Sequence, residues 1–231
     1  LILRGMIAPG ITLLKKLKIY ATGGAERVHI YNSEINSDAS FVIDINEQID
    51  YWSFMGFYIK LNLLPFSIFR TIDREFSLAY NYFMNDSDYH SLEFKGKAGY
   101  EFKNFDFYSL QFDASRLWPS PPFYHEIPVS DDTFKGFMGK SYHTHRIIRV
   151  SNEYMISLYR DYIYGGIFFD FTGFEGSGYD LTGNQYGIAA GPGGHFVFLD
   201  QFEFNMYFGK DYLFSRKESQ YNIQFSFHKK W

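Results

Sequence analysis

The sequence predicts an all-β fold, an antiparallel transmembrane β-barrel of about twelve strands of the bacterial outer-membrane type. Three observations predict it. Apolar and polar residues alternate along almost the whole chain, and the alternating segments are long. Aromatic side chains (27 Phe, 20 Tyr and 3 Trp) make up 22% of the 231 residues.

The strands fall at 11–22, 26–34, 39–46, 51–64, 74–85, 90–102, 104–117, 144–158, 162–172, 185–198, 202–213 and 219–231. Many exceed the five or six residues usual for soluble strands and suffice to cross a bilayer at a tilt, which takes about 9–11 residues. In 51–64, Met55, Phe57, Ile59, Leu61 and Leu63 oppose Tyr58, Lys60 and Asn62. In 74–85, Phe76, Leu78, Tyr80, Tyr82 and Met84 oppose Glu75, Ser77, Ala79 and Asn81. In 90–102, Leu92, Phe94, Ala98, Tyr100 and Phe102 oppose Glu93, Lys95, Lys97 and Glu101. In 202–213, Phe202, Phe204, Met206, Phe208 and Tyr212 oppose Glu203, Asn205, Tyr207, Gly209 and Asp211. The last strand sets Tyr221, Ile223, Phe225, Phe227 and Trp231 against Asn222, Gln224, Ser226 and His228. Each has one apolar and one polar side.

Tight links at Asn36–Asp38, Lys103, Tyr159–Asp161 and Leu199–Gln201 alternate with long ones at Trp118–His143 and Gly173–Asn184. Short turns on one side and long loops on the other mark an outer-membrane barrel. Pro65–Asp73 departs from that pattern, being nine residues long on the short-turn side. The expected barrel is one domain over 1–231, closed by its first strand against its last, with both termini periplasmic. The alternative, a soluble barrel or sandwich, turns its apolar faces inward. Gly187, Ala189, Gly191 and Gly193 in one strand and Glu93, Lys95, Lys97 and Glu101 in another suit a crowded polar lumen better.

Composition excludes other classes. The aromatic share, with 21% charged residues, is not that of a disordered chain. The net charge of −4 argues against nucleic acid as a partner. Without cysteine there is no disulfide framework and no thiolate metal site. The longest run free of charged residues, Leu181 to Leu199, carries Asn184, Gln185, Pro192, His195 and five glycines, so no membrane helix is expected.

The alternation Tyr221, Ile223, Phe225, Phe227, Trp231 resembles the C-terminal signature by which bacterial outer-membrane proteins are recognised for assembly, with Lys229 interrupting it. That resemblance implies the outer membrane of a Gram-negative bacterium. Phe134-Lys135-Gly136-Phe137 is similar to the loop-six motif, Val-Arg-Gly-Phe/Tyr, of the BamA-like superfamily, which includes barrel assembly factors and the transporters of two-partner secretion. Gly165-Gly166-Ile167-Phe168-Phe169-Asp170 is similar to that superfamily's Phe-Phe-Asp motif, and five strands follow the loop motif as they do there. The resemblance covers roughly 104–231. It implies insertion or translocation of a protein or lipid, without bond-breaking chemistry, metal or cofactor. The typical periplasmic POTRA domains and sixteen strands have no counterpart in these residues.

Strand parity places Arg149, Ser151 and Glu153 on one face of 144–158 and sets Asp170 opposite Ile167, Phe169 and Phe171. A loop folded back into the lumen brings Lys135 between Glu153 and Asp170, where confined charges must be paired. These three residues form an expected latch, with Gly136 expected in a backbone conformation closed to other residues. Lysine stands where the superfamily has arginine, so the bidentate fork is missing. The alternative is an ordinary lumenal salt bridge.

Two further function classes are a lipid-acting hydrolase barrel and a structural or partner-binding barrel that conducts nothing. His90-Ser91 and His143-x-His145 are the residues for hydrolase or metal chemistry, but adjacent strand residues face opposite ways. Trp52, Trp118, Tyr162, Tyr212 and Trp231 are candidates for aromatic girdles at the headgroups, although Trp52 and Tyr162 lack lipid-face parity. Expected partners are outer-membrane lipids and lipopolysaccharide, together with a periplasmic or outer-membrane protein or a second copy of the chain.

Overall fold

A computed structural model describes residues 2–13, 16–35, 43–63, 74–85, 87–130, 134–136, 142–160, 162–178, 181–198 and 202–229. The chain is a single antiparallel sheet of thirteen strands. They are β1 (Ile2–Ile7), β2 (Gly10–Leu13), β3 (Leu17–Ile35), β4 (Ile43–Leu63), β5 (Arg74–Met84), β6 (Tyr89–Glu101), β7 (Phe107–Trp118), β8 (Ile127–Pro128), β9 (His143–Tyr159), β10 (Ile163–Gly178), β11 (Leu181–Phe198), β12 (Phe202–Leu213) and β13 (Glu218–Lys229). The order is β1-β3-β4-β5-β6-β7-β9-β10-β11-β12-β13, with β2 continuing the β1 edge along β3 and β8 added to β9. Phe123–His125 form one short 3₁₀ turn.

The burial is inverted relative to a water-soluble sheet. On β13, Tyr221, Ile223, Phe225 and Phe227 are 58–64% exposed, while Asn222 and Gln224 between them are 7% and 6% exposed. The same division runs through β9, where Ile148, Tyr154 and Ile156 are exposed and Arg149, Ser151 and Glu153 are buried. One face of the sheet is therefore apolar and uncovered. The other is polar and wrapped around residues 119–130 and 134–136, which touch β3 and β4 at one end and β9, β10 and β12 at the other. Among the described residues no helix is long and apolar enough to cross a membrane, which says nothing of crossing by strands.

Several expectations need correction. The sheet is not closed into a barrel: among the described residues β1 pairs only with β3, and β13 only with β12. Among the described residues the sheet has eleven strand positions, both edges included, instead of twelve. With an odd number of antiparallel positions the edge strands run the same way, so Ile2 and Lys229 sit at opposite ends of the sheet and not both at one. The segments 11–22 and 26–34 are not two strands; Gly23 and Gly24 continue β3 in register with Met55 and Phe54. Likewise 39–46 and 51–64 merge in β4, because the polar run Asn46 to Asp50 is laddered against Val28 to Asn32. The long loop expected at Gly173–Asn184 is strand over 173–178 and 181–184, with β10 and β11 paired as far as Gly178 and Leu181. Ile35 and Ile43 lie at the same end of the sheet as Trp118 and His143, whereas Glu101 and Phe107 lie at the other. Turns at 36–38 and 199–201, Pro65–Asp73, Asp161, Phe137 and Trp231 lie outside the described residues. Trp52 is no girdle residue: it is 4% exposed and packs with Val28, Phe54, Phe83 and Tyr89 on the wrapped face.

Candidate functional site

Residues 119–130 leave the sheet at Trp118, turn at Phe123–His125 and pair briefly with β9 through β8, and residues 134–136 lie on the polar face. Arg149 holds the middle of this path. Its guanidinium bonds Asp113 of β7 through Nε at 3.0 Å, lies 4.7 Å from the centre of the Phe134 ring, and donates to the carbonyls of Pro128 and Val129 at 3.4 and 3.5 Å. Val129 fits among Ile147, Phe174 and Leu213, so the apolar part of the segment is also packed.

At the tip, Phe134, Lys135 and Gly136 are all buried, and the structure brings the first three residues of the loop motif together with Glu153 and Asp170. One oxygen of Asp170 accepts the main-chain N–H groups of Lys135 at 2.6 Å and Gly136 at 3.0 Å, and its other oxygen accepts the Ser151 hydroxyl at 2.5 Å. The Lys135 ammonium lies 3.8 Å from Glu153 Oε2, 3.4 Å from Ser151 Oγ and 4.8 Å from the centre of the Tyr207 ring. The lysine thus faces Glu153 with its charge and Asp170 with its backbone. Glycine at 136 is required by space, not by a left-handed backbone: a Cβ there falls 2.5 Å from the Cβ of Ala189, which is 0% exposed.

Glu153 is the hub of a second layer. It accepts Ser109 at 3.2 Å and pairs with His195 Nε2 at 3.0 Å; the other ring nitrogen of His195 meets Glu203 at 3.0 Å, and the Tyr207 hydroxyl is 2.6 Å from Nε2. Four strands, β7, β9, β11 and β12, therefore converge on one buried, fully bonded set of groups. The sequence reading did not place His195, Glu203, Tyr207 or Ser109 in the site. The polar side of β12, with Glu203, Asn205 and Tyr207, was the available signal.

The stem of the segment makes an anchor that sequence reasoning missed. His125 Nε2 lies 2.6 Å from Glu26 Oε1, whose other oxygen takes Arg4 Nε at 2.6 Å. The Tyr124 hydroxyl donates to Asp50 at 2.5 Å and receives Trp52 Nε1 at 3.2 Å. Burial and that bond to Asp50 push the Tyr124 phenol up to about 12 from its ordinary 10.0, so it remains a donor across the physiological range. The cluster Phe123-Tyr124-His125, aromatic yet between strands and preceded by three prolines, was the cue.

The remaining candidates separate. His90 and Ser91 point to opposite faces, and His90 Nδ1 meets the Tyr80 hydroxyl at 2.8 Å. His145 pairs with Glu126 at 2.9 Å, and among the described residues no group of three His, Cys, Asp or Glu side chains could hold a metal ion. Tyr221, Ile223, Phe225 and Phe227 form the exposed row of β13 already described, beyond which Trp231 is not described. No protein-family model and no curated protein matches this chain.

Among the described residues, the carboxylates and the histidine of the site are each engaged by a named partner. The site's chemistry is retention: carboxylates collect main-chain and ammonium donors from a segment far away in sequence and hold it against the sheet.

Proposed function

We propose that this chain is an integral β-sheet protein of the Gram-negative outer membrane, related to the BamA-like superfamily, that assists insertion or translocation of a protein or lipid without bond-breaking chemistry. The observation that carries this reading is the seating of Phe134-Lys135-Gly136 on Asp170 and beside Glu153, deep on the polar face of a sheet whose other face is apolar and uncovered. Bilayer lipid is the solvent that tolerates such a face. Long strands that alternate in polarity and end on an apolar row in β13 support the same reading.

A partner-binding protein that moves nothing is the second reading. Residues 119–130 and 134–136 reach across the polar face from β3 to β12, and that cover favours it.

The purified chain is expected to need detergent and to enter lipid vesicles; a monomer soluble in plain buffer overturns the membrane reading. Vesicles carrying the chain are then given an unfolded outer-membrane protein, and protease protection of that client is followed. Protection above that of empty vesicles supports the insertion role, whereas none leaves the partner-binding reading in its place. A tag inserted between Gly178 and Leu181 is expected to be reachable from outside intact cells, and one between Phe198 and Phe202 is not.

A further inference from the structure

On β7 and β9 the apolar face first carries charge near Trp118 and His143. Arg116 of β7 and Arg146 of β9 are directly opposite each other in the ladder, and Leu92 of β6 lies beside Arg116. Both arginines are exposed. Below them the same face reads Ala114, Phe112, Leu110 and Tyr108 on β7, and Ile148, Val150, Asn152, Tyr154 and Ile156 on β9. From Ile148 to Ile156 that face covers nine residues, about the 9–11 that a tilted strand needs to cross a hydrocarbon core. Arg116 and Arg146 stand where such a core ends.

Like charges directly opposite in an antiparallel pair repel, with Cβ atoms only about 4.5–5.5 Å apart. Among the described residues neither guanidinium has an ion-pair partner; Arg116 lies 5.8 Å from the centre of the Trp118 ring, which stacks on His90 at 5.5 Å. On the other side, Arg146 borders a hollow formed with Ile148, Phe171, Asn184 and Tyr186, and Glu175 is the acid that faces it. Two cations, an aromatic flank beside Arg116 and a slot walled in part by Ile148, Phe171 and Tyr186 beside Arg146 together describe one ligand. The cations match an anion between them, and the slot matches a chain attached to it.

We propose that Arg116 and Arg146 clamp the phosphate of a phosphorylated lipid headgroup at the membrane surface, with Trp118 and His90 along one side and acyl chain in the hollow by Ile148 and Phe171. Guanidinium suits this because it stays charged at every relevant pH and meets phosphate with paired donors. The proposal rests on the membrane reading above and assigns the expected lipid partner a phosphorylated headgroup and the residues that hold it.

The test is native mass spectrometry of the full chain in detergent, offered diphosphoryl lipid A or the same lipid after enzymatic dephosphorylation. The chain is expected to retain the phosphorylated lipid at least tenfold better, Arg116→Gln with Arg146→Gln to abolish that preference, and Arg116→Lys with Arg146→Lys to keep part of it. Equal retention of both lipids by the unaltered chain overturns the clamp whatever the variants do, and so does a folded double glutamine variant that keeps the preference. A chain that stays monomeric without detergent overturns the membrane reading itself, while one that needs detergent yet ignores phosphate overturns the clamp alone.

Discussion

The two ends of residues 119–136 grip the sheet by different means. At the stem the grip is made by side chains, with the rings of Tyr124 and His125 set among Trp52, Phe83 and Tyr89 and their polar atoms on Asp50 and Glu26. At the tip the closest bonds come from the backbone, two N–H groups on a single Asp170 oxygen. A side-chain grip depends on which residue stands there. A backbone grip depends on whether the chain can come close enough, which at Gly136 means having no Cβ. Substitution should therefore read differently at the two ends.

The largest effect belongs to the acceptor of the backbone grip. Asp170→Ala leaves the Lys135 and Gly136 N–H groups buried without a partner, at about 1–3 kcal/mol each, and a loss of roughly 2–6 kcal/mol is expected in denaturant resistance in detergent micelles. An unchanged midpoint would show that the tip is held by packing. Next comes Gly136→Val, for which forcing a side chain against Ala189 should cost about 1–3 kcal/mol and expose the segment to protease; Gly136→Ala should give a smaller change of the same sign.

His125→Ala at the stem should cost less, about 1–2 kcal/mol, because Glu26 keeps Arg4 as a partner. Double substitution with Asp170→Ala separates the ends: additive losses mean that they hold independently, and a shortfall means that one end cannot dock without the other.

The stem also carries a pH signature. The folded Tyr124 phenol lies above its unfolded value, so its bond to Asp50 contributes fully below about pH 10 and is lost as pH rises towards 12. The stability gap between the unaltered chain and Tyr124→Phe should be constant below pH 10 and close by pH 12. A gap that is already closed at pH 8 removes this bond from the account.

The smallest change expected is Lys135→Arg. Glu153 already holds His195 and Ser109, so a guanidinium fork at 135 should add no more than about 1 kcal/mol to the tip. Lys135→Ala should cost less than Asp170→Ala, because it leaves both backbone bonds in place.

These contrasts follow what a sequence can and cannot display. Period-two alternation made β9, β12 and β13 legible, and parity correctly placed Glu153 and Asp170 on the buried face. Parity does not show which donor a carboxylate will take, and main-chain N–H groups leave no mark in a sequence. Asp170 was therefore matched with the Lys135 ammonium when it holds the Lys135 amide. Glu26 and His125 are 99 residues apart and met only once the sheet had curved. Glycine pairs read as breaks, so Gly23-Gly24 split β3 on paper, while Gly173 to Gly178 was given to a loop because small residues can occupy either.

Ten residues separate His125 from Lys135, so the chain between the two grips can reach at most about 35 Å. That length works as a tie-rod. It limits how far the β3–β4 side of the sheet can swing from β9 and β10 while both ends stay fastened, in a sheet whose two edge strands do not pair with each other among the described residues. Lengthening it would let the sheet flatten; shortening it would draw the two sides together or pull one grip free.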